Sequence, residues 1–372
     1  MDWYNVVRYH LVPPTFLIFF TVVTQWLVAA GNPAKTFSVS SLLNLGSPFS
    51  WGLVLSFLAW SLLSLLGPSK LFRGPVTPVG YVPVYSANGT QYYLFSLAAY
   101  LALVWCRPSL PLDIHDHFDD IISTLNIFSL LFCAYLLFKG RETHNKVEKM
   151  CFNSTLFYFT FSAHHFPEVD EGLKSAPLPY QFYSGIELHP RLLGVDIKQL
   201  TNCRFGMLGW ALLVLNFAIA SIQRNGFNFG PLANAVLINL YLLKFFYWET
   251  GYFNTLDITL DRAGYYLCWG CLTWVQVFYT FSAYYLVSRP SLVTSAASGV
   301  ILVLGLASLG LNYWADYQKE KFKVGHGGFK ENEIVRLILS FPTEIAISGA
   351  KRQSLFPWNT QPATGKRRKV NY

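Results

Sequence analysis

The chain has 372 residues, of which 53% are hydrophobic, 17% aromatic and only 13% charged, with a formal net charge of +8. Soluble domains carry about a quarter charged residues, so this balance excludes an ordinary soluble protein and points to an integral membrane protein. The positive charge does not argue for nucleic acid as a partner, because the bases are spread over separate loops instead of one soluble domain.

Apolar windows fall at about residues 13–30, 51–67, 121–138, 206–222, 230–247, 265–287 and 293–313, with a shorter one at 92–105. Each long window matches what a helix needs to cross about 30 Å of hydrocarbon. They are continuous, without the period-two alternation of barrel strands, and only helices or closed barrels satisfy their backbone in lipid. The reading is an all-α polytopic transmembrane bundle of about eight spans, in a lipid bilayer. The first window follows the weakly basic segment MDWYNVVRYH and reads as a span, not a cleaved leader.

Eight alternating helices and a cytosolic tail put Arg8, Lys70, Arg73, Arg262, the bases from Lys139 to Arg204 and those from Lys319 to Lys369 on one side. Only Lys35, Arg107, Arg224 and Arg289 face the other. That asymmetry follows the positive-inside rule and makes both termini cytosolic. The sequons at Asn88 and Asn153 then lie on the cytosolic side, where they would carry no glycan. Most polar residues are held by residues 139–205 and by the tail after 314. In the first, a polar and aromatic stretch over 180–206 is expected at the membrane surface. In the second, IVRLILSF is too short to span, the tail is expected to be loosely folded and its last eight residues disordered.

Candidate chemistry concentrates in 247–287. Glu249, Asp257 and Asp261 stand at the mouth of an aromatic apolar run, and carboxylates near hydrocarbon usually face a polar cavity, a partner or a ligand. Spacing i, i+4 puts Asp257 and Asp261 on one helix face beside Arg262, with Asn254 and Thr255 one turn earlier. That face is either an interfacial ion-pair cluster that sets helix depth or the wall of a cavity. Lys244 needs a partner or a route to the interface. Tyr241 can donate from within an apolar pocket, though packing is the commoner use of such a ring. Cys268 and Cys271 have dithiol spacing but lack the strand-to-helix setting and the second pair that redox or zinc chemistry needs. Asp113, His115, Asp116 and His117, with His164, His165 and His189, are too scattered for an oxygenase metal centre and read as an interfacial loop, so no metal is expected. Gln318, Lys319, Lys321 and Lys323 gather cations where a phosphate could reach them, or simply stop the last span. No Rossmann or P-loop glycine motif is present.

Four ordered blocks resemble one family, the sterol reductases that include the Δ14- and Δ7-sterol reductases and the sterol-reductase domain of the lamin B receptor. They are GPVTPVGYVPVYSANG at 74–89, YSGIELHPRLLGVDIKQLTNCRFG at 183–206, the segment 247–287, and Gln318, Lys319 and Phe322. The third block is most similar to the Δ7 branch. The resemblance implies NADPH-dependent reduction of a carbon–carbon double bond of a sterol nucleus, at the endoplasmic reticulum membrane in sterol biosynthesis. It makes Tyr241 the candidate proton donor or relay, and Lys319 and Lys323 candidate NADPH phosphate ligands. Glu249, Asp257 and Asp261 would line or orient the cavity, with Trp248, Asn254 and Trp269 as sterol contacts. The family-like domain is expected over 1–323 and a divergent cytosolic basic tail over 324–372. The family pattern continues with a GWWG and RHxNY segment that contributes nicotinamide contacts and that this sequence does not contain. A Δ14-sterol reductase and a non-catalytic sterol-binding protein are the other readings.

Overall fold

The structure is a computed structural model that describes residues 3–77, 80–153 and 176–324, with side chains left aside at 143–153 and 319–324. Residues Met1–Trp314 form one compact unit, and the unit that begins at Ala315 is described only over the end of its helix.

Among the described residues, six helices are long and apolar enough to cross a membrane: α1 (Trp3–Gly31), α2 (Pro48–Leu66), α5 (Phe118–Asn153, apolar to Glu142), α7 (Gln199–Asn225), α8 (Phe229–Tyr247) and α14 (Ser295–Val324, apolar to Gln318). Two more, α3 (Gly89–Cys106) and α4 (Leu110–Asp116), meet at 98° as a bent pair. The bend follows from Pro108, since the residue before a proline is pushed out of the helical region and Arg107 is indeed non-helical, at φ −134° and ψ 83°. The window at 265–287 is helical but broken, into α11 (Tyr265–Trp274, with π-type turns), α12 (Val275–Phe278) and α13 (Phe281–Ser288). At the second break the Thr280 hydroxyl donates to the Gln276 carbonyl at 2.5 Å, and such back-bonding bends a helix. The chain is thus an all-α, multi-pass membrane protein, with every apolar window of the sequence on helix.

Shorter elements fill one end. Strands β1 (Leu71–Arg73) and β2 (Val84–Ser86) pair antiparallel, Phe72 opposite Tyr85. After the two-turn α6 (Leu178–Ser184) come the two-residue strands β3 (Arg191–Leu192) and β4 (Val195–Asp196). Single turns α9 (Glu249–Tyr252) and α10 (Leu256–Thr259) follow α8. Within the polar stretch over 180–206, every residue from Val195 to Gly206 is buried inside the protein. The fifth span begins at Gln199, because the polar side chains of its first turns find partners inside the protein.

The main core gathers Phe118, Ile122, Phe217 and Tyr284, where α5, α7 and α13 meet. Polar pairs stitch the helices together within it: Gln25 to Ser123 at 3.0 Å, Asn126 to Thr24 at 3.0 Å, Ser129 with Thr273 at 2.9 Å. In hydrocarbon such bonds have no water to compete with and help fix helix register. The outward residues of α14, among them Val300, Ile301, Val303 and Leu304, are exposed and apolar, as a lipid-facing helix requires.

Candidate functional site

Arg204 and Glu249 form the centre of the polar end. Arg204, in the first turns of α7, is fully buried, and Glu249, at the start of α9, is 2% exposed. The guanidinium donates to both carboxylate oxygens, from Nη1 to Oε1 and from Nη2 to Oε2, the second at 3.1 Å. Nη2 also reaches Asn88 Oδ1 at 2.8 Å and the Ser86 carbonyl at 3.2 Å, and the ring of Tyr92 lies 5.3 Å from the guanidinium carbon. A bidentate fork of this kind is stronger and more directional than a point-charge pair. Gly89 makes it possible: a Cβ there would strike Glu249 Oε2. Asn88 is held from the other side by its own Nδ2, which donates to the Ser64 carbonyl at 2.7 Å. One ion pair therefore ties the C-terminal end of α2, the start of α3, the start of α7 and the end of α8 into one node.

A second node sits beside it. Lys198 is fully buried and donates to backbone carbonyls of Ile258 at 2.5 Å and Asp261 at 2.9 Å. Its ammonium therefore holds the α10 turn by its main chain. Burial brings the Lys198 pKa down to about 8, against the pull of Asp196 and Asp261. Asp196 caps the next turn, Oδ1 accepting from Gln199 N–H at 2.9 Å, and burial pushes its pKa up. His189 lies 3.9 Å from the other Asp196 oxygen and 3.3 Å from the Tyr85 hydroxyl. Burial, with Lys198 and Arg191 adding to it, lowers the imidazole to about 3. It is neutral at pH 7, and the contact with Asp196 is not an ion pair. Tyr85 stacks on Phe253, centroids 4.2 Å apart, so β2 and the 249–262 segment pack face to face. Nearby, the Gly185 and Gly264 backbones touch, and a Cβ on Gly185 would lie 2.6 Å from the Ala263 carbonyl carbon. Gly185 also has φ +81°, a conformation that favours glycine.

Of the residues singled out from sequence, only some come together. Asp257 and Asp261 do not share a helix face, because α10 ends at Thr259 and Asp261 follows outside it. Asp257 is exposed and Asp261 half-buried. Burial first, and then repulsion from Asp257, raises the Asp261 carboxyl to about 6, with Lys198 and Arg262 opposing. Asn254 is exposed and donates to the Thr250 carbonyl one turn back. Trp248 stacks on Tyr313 at 4.7 Å, and Lys244 both lies over that indole and donates to Asn312. Trp269 belongs to a different cluster: it is 2% exposed, stacks on Tyr265 at 4.6 Å and donates to Asn126 Oδ1 at 3.0 Å. Tyr241 is 41% exposed on the outer face of α8, its ring 5.8 Å from Trp210, which in turn lies 4.7 Å from Tyr279. Positions 319 and 323 are one turn apart on the helical backbone of α14 and belong to the second unit, as defined above.

Cys268 and Cys271 are buried free thiols inside α11. The Asp113–His117 stretch is not a loop: Asp113 to Asp116 close α4, and buried His115 contacts Asp116 at 2.8 Å and Ser288 at 3.3 Å. Among the described residues no three histidine, cysteine or acidic side chains are grouped as a metal site needs. His164, His165 and the tail segment IVRLILSF lie outside the described residues. Arg204, Lys198, Asn88 and Gly89 were not assigned roles from sequence. A usable signal existed for Arg204: a cation just before one apolar window, and an acid just after another, predict each other as partners.

The raised Asp261 pKa has a sign that can be checked. The folded chain holds this proton more tightly than the unfolded one, so the contribution is complete below about pH 4 and is lost as pH rises through about 6. Asp261→Asn is expected to flatten the fall in thermal unfolding midpoint between pH 4 and 6 and to raise the midpoint at pH 7. Midpoints measured in detergent at four pH values decide it, and an unchanged slope would count against this electrostatic picture. Lys198 acts in a separate window, from about 8 upward, where stability rises with pH.

Comparison with known proteins places the chain. It matches the model of the family described as ergosterol biosynthesis ERG4/ERG24 over residues 16–352. The 7-dehydrocholesterol reductase of Arabidopsis thaliana is 36% identical to it over 327 residues, 85% of this chain and 69% of that protein. The 7-dehydrocholesterol reductase of Xenopus laevis is 28% identical over 268 residues, 69% of this chain and 50% of that protein. The Delta(14)-sterol reductase of Methylotuvimicrobium alcaliphilum is 27% identical over 285 residues, 74% of this chain and 60% of that protein. The chain thus spans half to seven tenths of the length of these relatives.

Proposed function

The chain belongs to the ergosterol biosynthesis ERG4/ERG24 family of sterol reductases, and from that premise we propose that it reduces the Δ7 double bond of Δ5,7-sterols with NADPH, in the endoplasmic reticulum membrane with both termini cytosolic. The observation that carries the Δ7 assignment is the 36% identity with a 7-dehydrocholesterol reductase across 85% of the chain.

Reduction of one ring double bond needs a proton on one carbon and a hydride on the other. NADPH supplies the hydride when bound. This chain's part is to hold the cofactor's phosphates, to present a flat apolar surface to the sterol, and to deliver the proton where water is scarce. The donor set suits an anion: two lysine positions one helical turn apart, 319 and 323, on α14. Lysine at 323, where the family commonly has arginine, keeps the charge but gives up the planar fork. Tyr241 has the proton, on Oη, and an aromatic setting of Trp210 and Tyr279 against which a ring system can lie. The Arg204–Glu249 node positions the end of α8, and with it the helix that carries Tyr241. Trp248 and Asn254 stand near that end as sterol contacts. Trp269 and Asp261 act at a distance, by packing and by charge.

The test uses the ultraviolet absorbance of the conjugated diene. Expressed in cells that accumulate a Δ5,7-sterol, the chain is expected to remove that absorbance and produce the Δ5-sterol. Unchanged diene despite a membrane-inserted product would overturn the Δ7 proposal. The similarity to a Delta(14)-sterol reductase supports a second reading, in which a Δ8,14-sterol is consumed instead under the same conditions. Sterol binding with no turnover of either diene would favour a non-catalytic sterol-binding role.

A further inference from the structure

We propose that the two small sheets beside the end of α2 form a seat for anionic phospholipids, with Leu193 and Leu71 entering the headgroup layer and Lys70, Arg73 and Arg191 meeting the lipid phosphates and carboxylates. The place follows from packing. Val195 of β4 packs with Leu65 and Leu62, in the last turns of α2, so the β3–β4 hairpin sits at the depth where that span leaves hydrocarbon. Arg191 donates from Nη2 to the Val84 carbonyl at 2.6 Å and ties the hairpin to β2, which pairs with β1. Exposed apolar residues continue from the span onto the strands: Leu63 and Leu66 of α2 are 62% and 53% exposed, and Leu71 of β1 is 72% exposed.

The hairpin tip shows that an apolar medium lies outside it. Leu192 pairs with Val195, so Leu193 and Gly194 are the two central residues of the turn, at φ +53° and +78°. A two-residue turn with both angles positive favours asparagine, aspartate or glycine. Leucine is disfavoured there by its Cβ, and among the described residues Leu193 is the only non-glycine with positive φ. Nothing inside the fold offsets that cost, because the side chain is 73% exposed. Insertion into the boundary between headgroups and acyl chains offsets it, and the bilayer that α2 has just left is the apolar medium within reach.

Charge decides which lipid. Side chains alternate along β1, so Leu71 and Arg73 point outward while Phe72 turns inward beside Phe253. Lys70, Arg73 and Arg191 are all exposed. Among the described residues none of the three forms an ion pair. Asp196, opposite Arg191 across the ladder, is buried, and its Oδ1 accepts from Gln199 N–H. Bases without acidic partners around exposed leucines attract acidic headgroups, each base adding to the effect. A neutral bilayer would accommodate the leucines and leave the bases without counter-charge.

The test places an environment-sensitive fluorophore on Leu193→Cys in the full chain, with Cys106 and Cys151 replaced by serine, since the remaining cysteines are buried. The protein is reconstituted in phosphatidylcholine nanodiscs and in nanodiscs where one lipid in three is phosphatidylserine. Quenching by a nitroxide carried at headgroup depth is expected to be at least about threefold stronger in the phosphatidylserine discs, and Lys70→Gln with Arg73→Gln should remove most of that difference. A second measurement needs no label. Leu193→Asn, which suits the turn, should keep or raise the unfolding midpoint in detergent, yet lose the protection from hydrogen exchange that phosphatidylserine gives residues 190–196 of the unaltered chain. Equal quenching in the two lipids, or a phosphatidylserine effect that survives Lys70→Gln with Arg73→Gln, would overturn the seat. A fluorophore that stays in water in both discs would overturn it too and leave the tip to a soluble protein partner. A lower midpoint for Leu193→Asn would show that the fold itself uses the leucine, against the proposal. Sterol reduction enters none of these readouts, so the inference stands apart from the reductase proposal.

Discussion

Replacing Glu249 by alanine is expected to leave little folded protein in detergent, with a loss of stability of about 3–5 kcal/mol, the usual consequence of stranding a buried charge. Arg204 is fully buried and spends its fork on Glu249. Without that carboxylate, the guanidinium keeps only Asn88 Oδ1, the Ser86 carbonyl and the Tyr92 ring. These do not neutralise a cation inside the protein. Arg204→Ala should be as damaging in the opposite sense, by leaving an unpaired carboxylate. The pair itself is not the source of stability, because removing two charges from water consumes most of what their attraction returns. Arg204→Met with Glu249→Leu should therefore recover much of what either alanine variant loses. Gly89→Ala, which drives a methyl into Glu249 Oε2, should act as a milder form of Glu249→Ala. Thermal unfolding and the monodisperse fraction on gel filtration read all of these. A Glu249→Ala protein with an unchanged unfolding midpoint would show that the node is not what joins α2, α3, α7 and α8.

Tyr241→Phe is expected to lower kcat for sterol reduction by about 100-fold or more, the range over which positioned proton donors act, while sterol affinity changes little. The ring is kept, so its contact with Trp210 and the apolar face it offers are kept, and only Oη is lost. Loss confined to kcat is the signature of an interaction made in the transition state. Turnover followed by diene absorbance, with sterol binding measured separately, checks it. A variant that loses binding in proportion to turnover would make Tyr241 a packing residue, the reading that spacing alone favours. Stability is expected to be unaffected, because Tyr241 is 41% exposed. That contrast with Glu249→Ala separates the residue assigned to chemistry from the residue assigned to holding it.

The two kinds of residue were unequally legible. The windows at 13–30, 51–67 and 121–138 lie on α1, α2 and α5 because a long apolar run in lipid has one backbone solution. Residues 265–287 were equally apolar, yet there the helix is broken, through hydroxyl-to-carbonyl bonds and close backbone contacts that composition does not encode. Asp257 and Asp261 have helical spacing, but α10 ends between them. Lys198 holds the 257–261 carbonyls, a bond to main chain that no pattern of side chains announces. Trp269 entered as a sterol contact through the family resemblance, and only the structure shows that its indole N–H is spent on Asn126.

By itself the sequence determined that this is a polytopic helical membrane protein, and its ordered motif blocks carried the resemblance to the sterol reductases. Both follow from quantities local to the chain: apolar length against bilayer thickness, and residue types at fixed spacing. Only the tertiary structure decided what the motif residues do. Glu249 and Arg204 are 45 positions apart, and Asn88 and Gly89 are more distant still. Their shared role appears when four helix ends meet and the cost of a buried charge has to be met by a partner within hydrogen-bond reach.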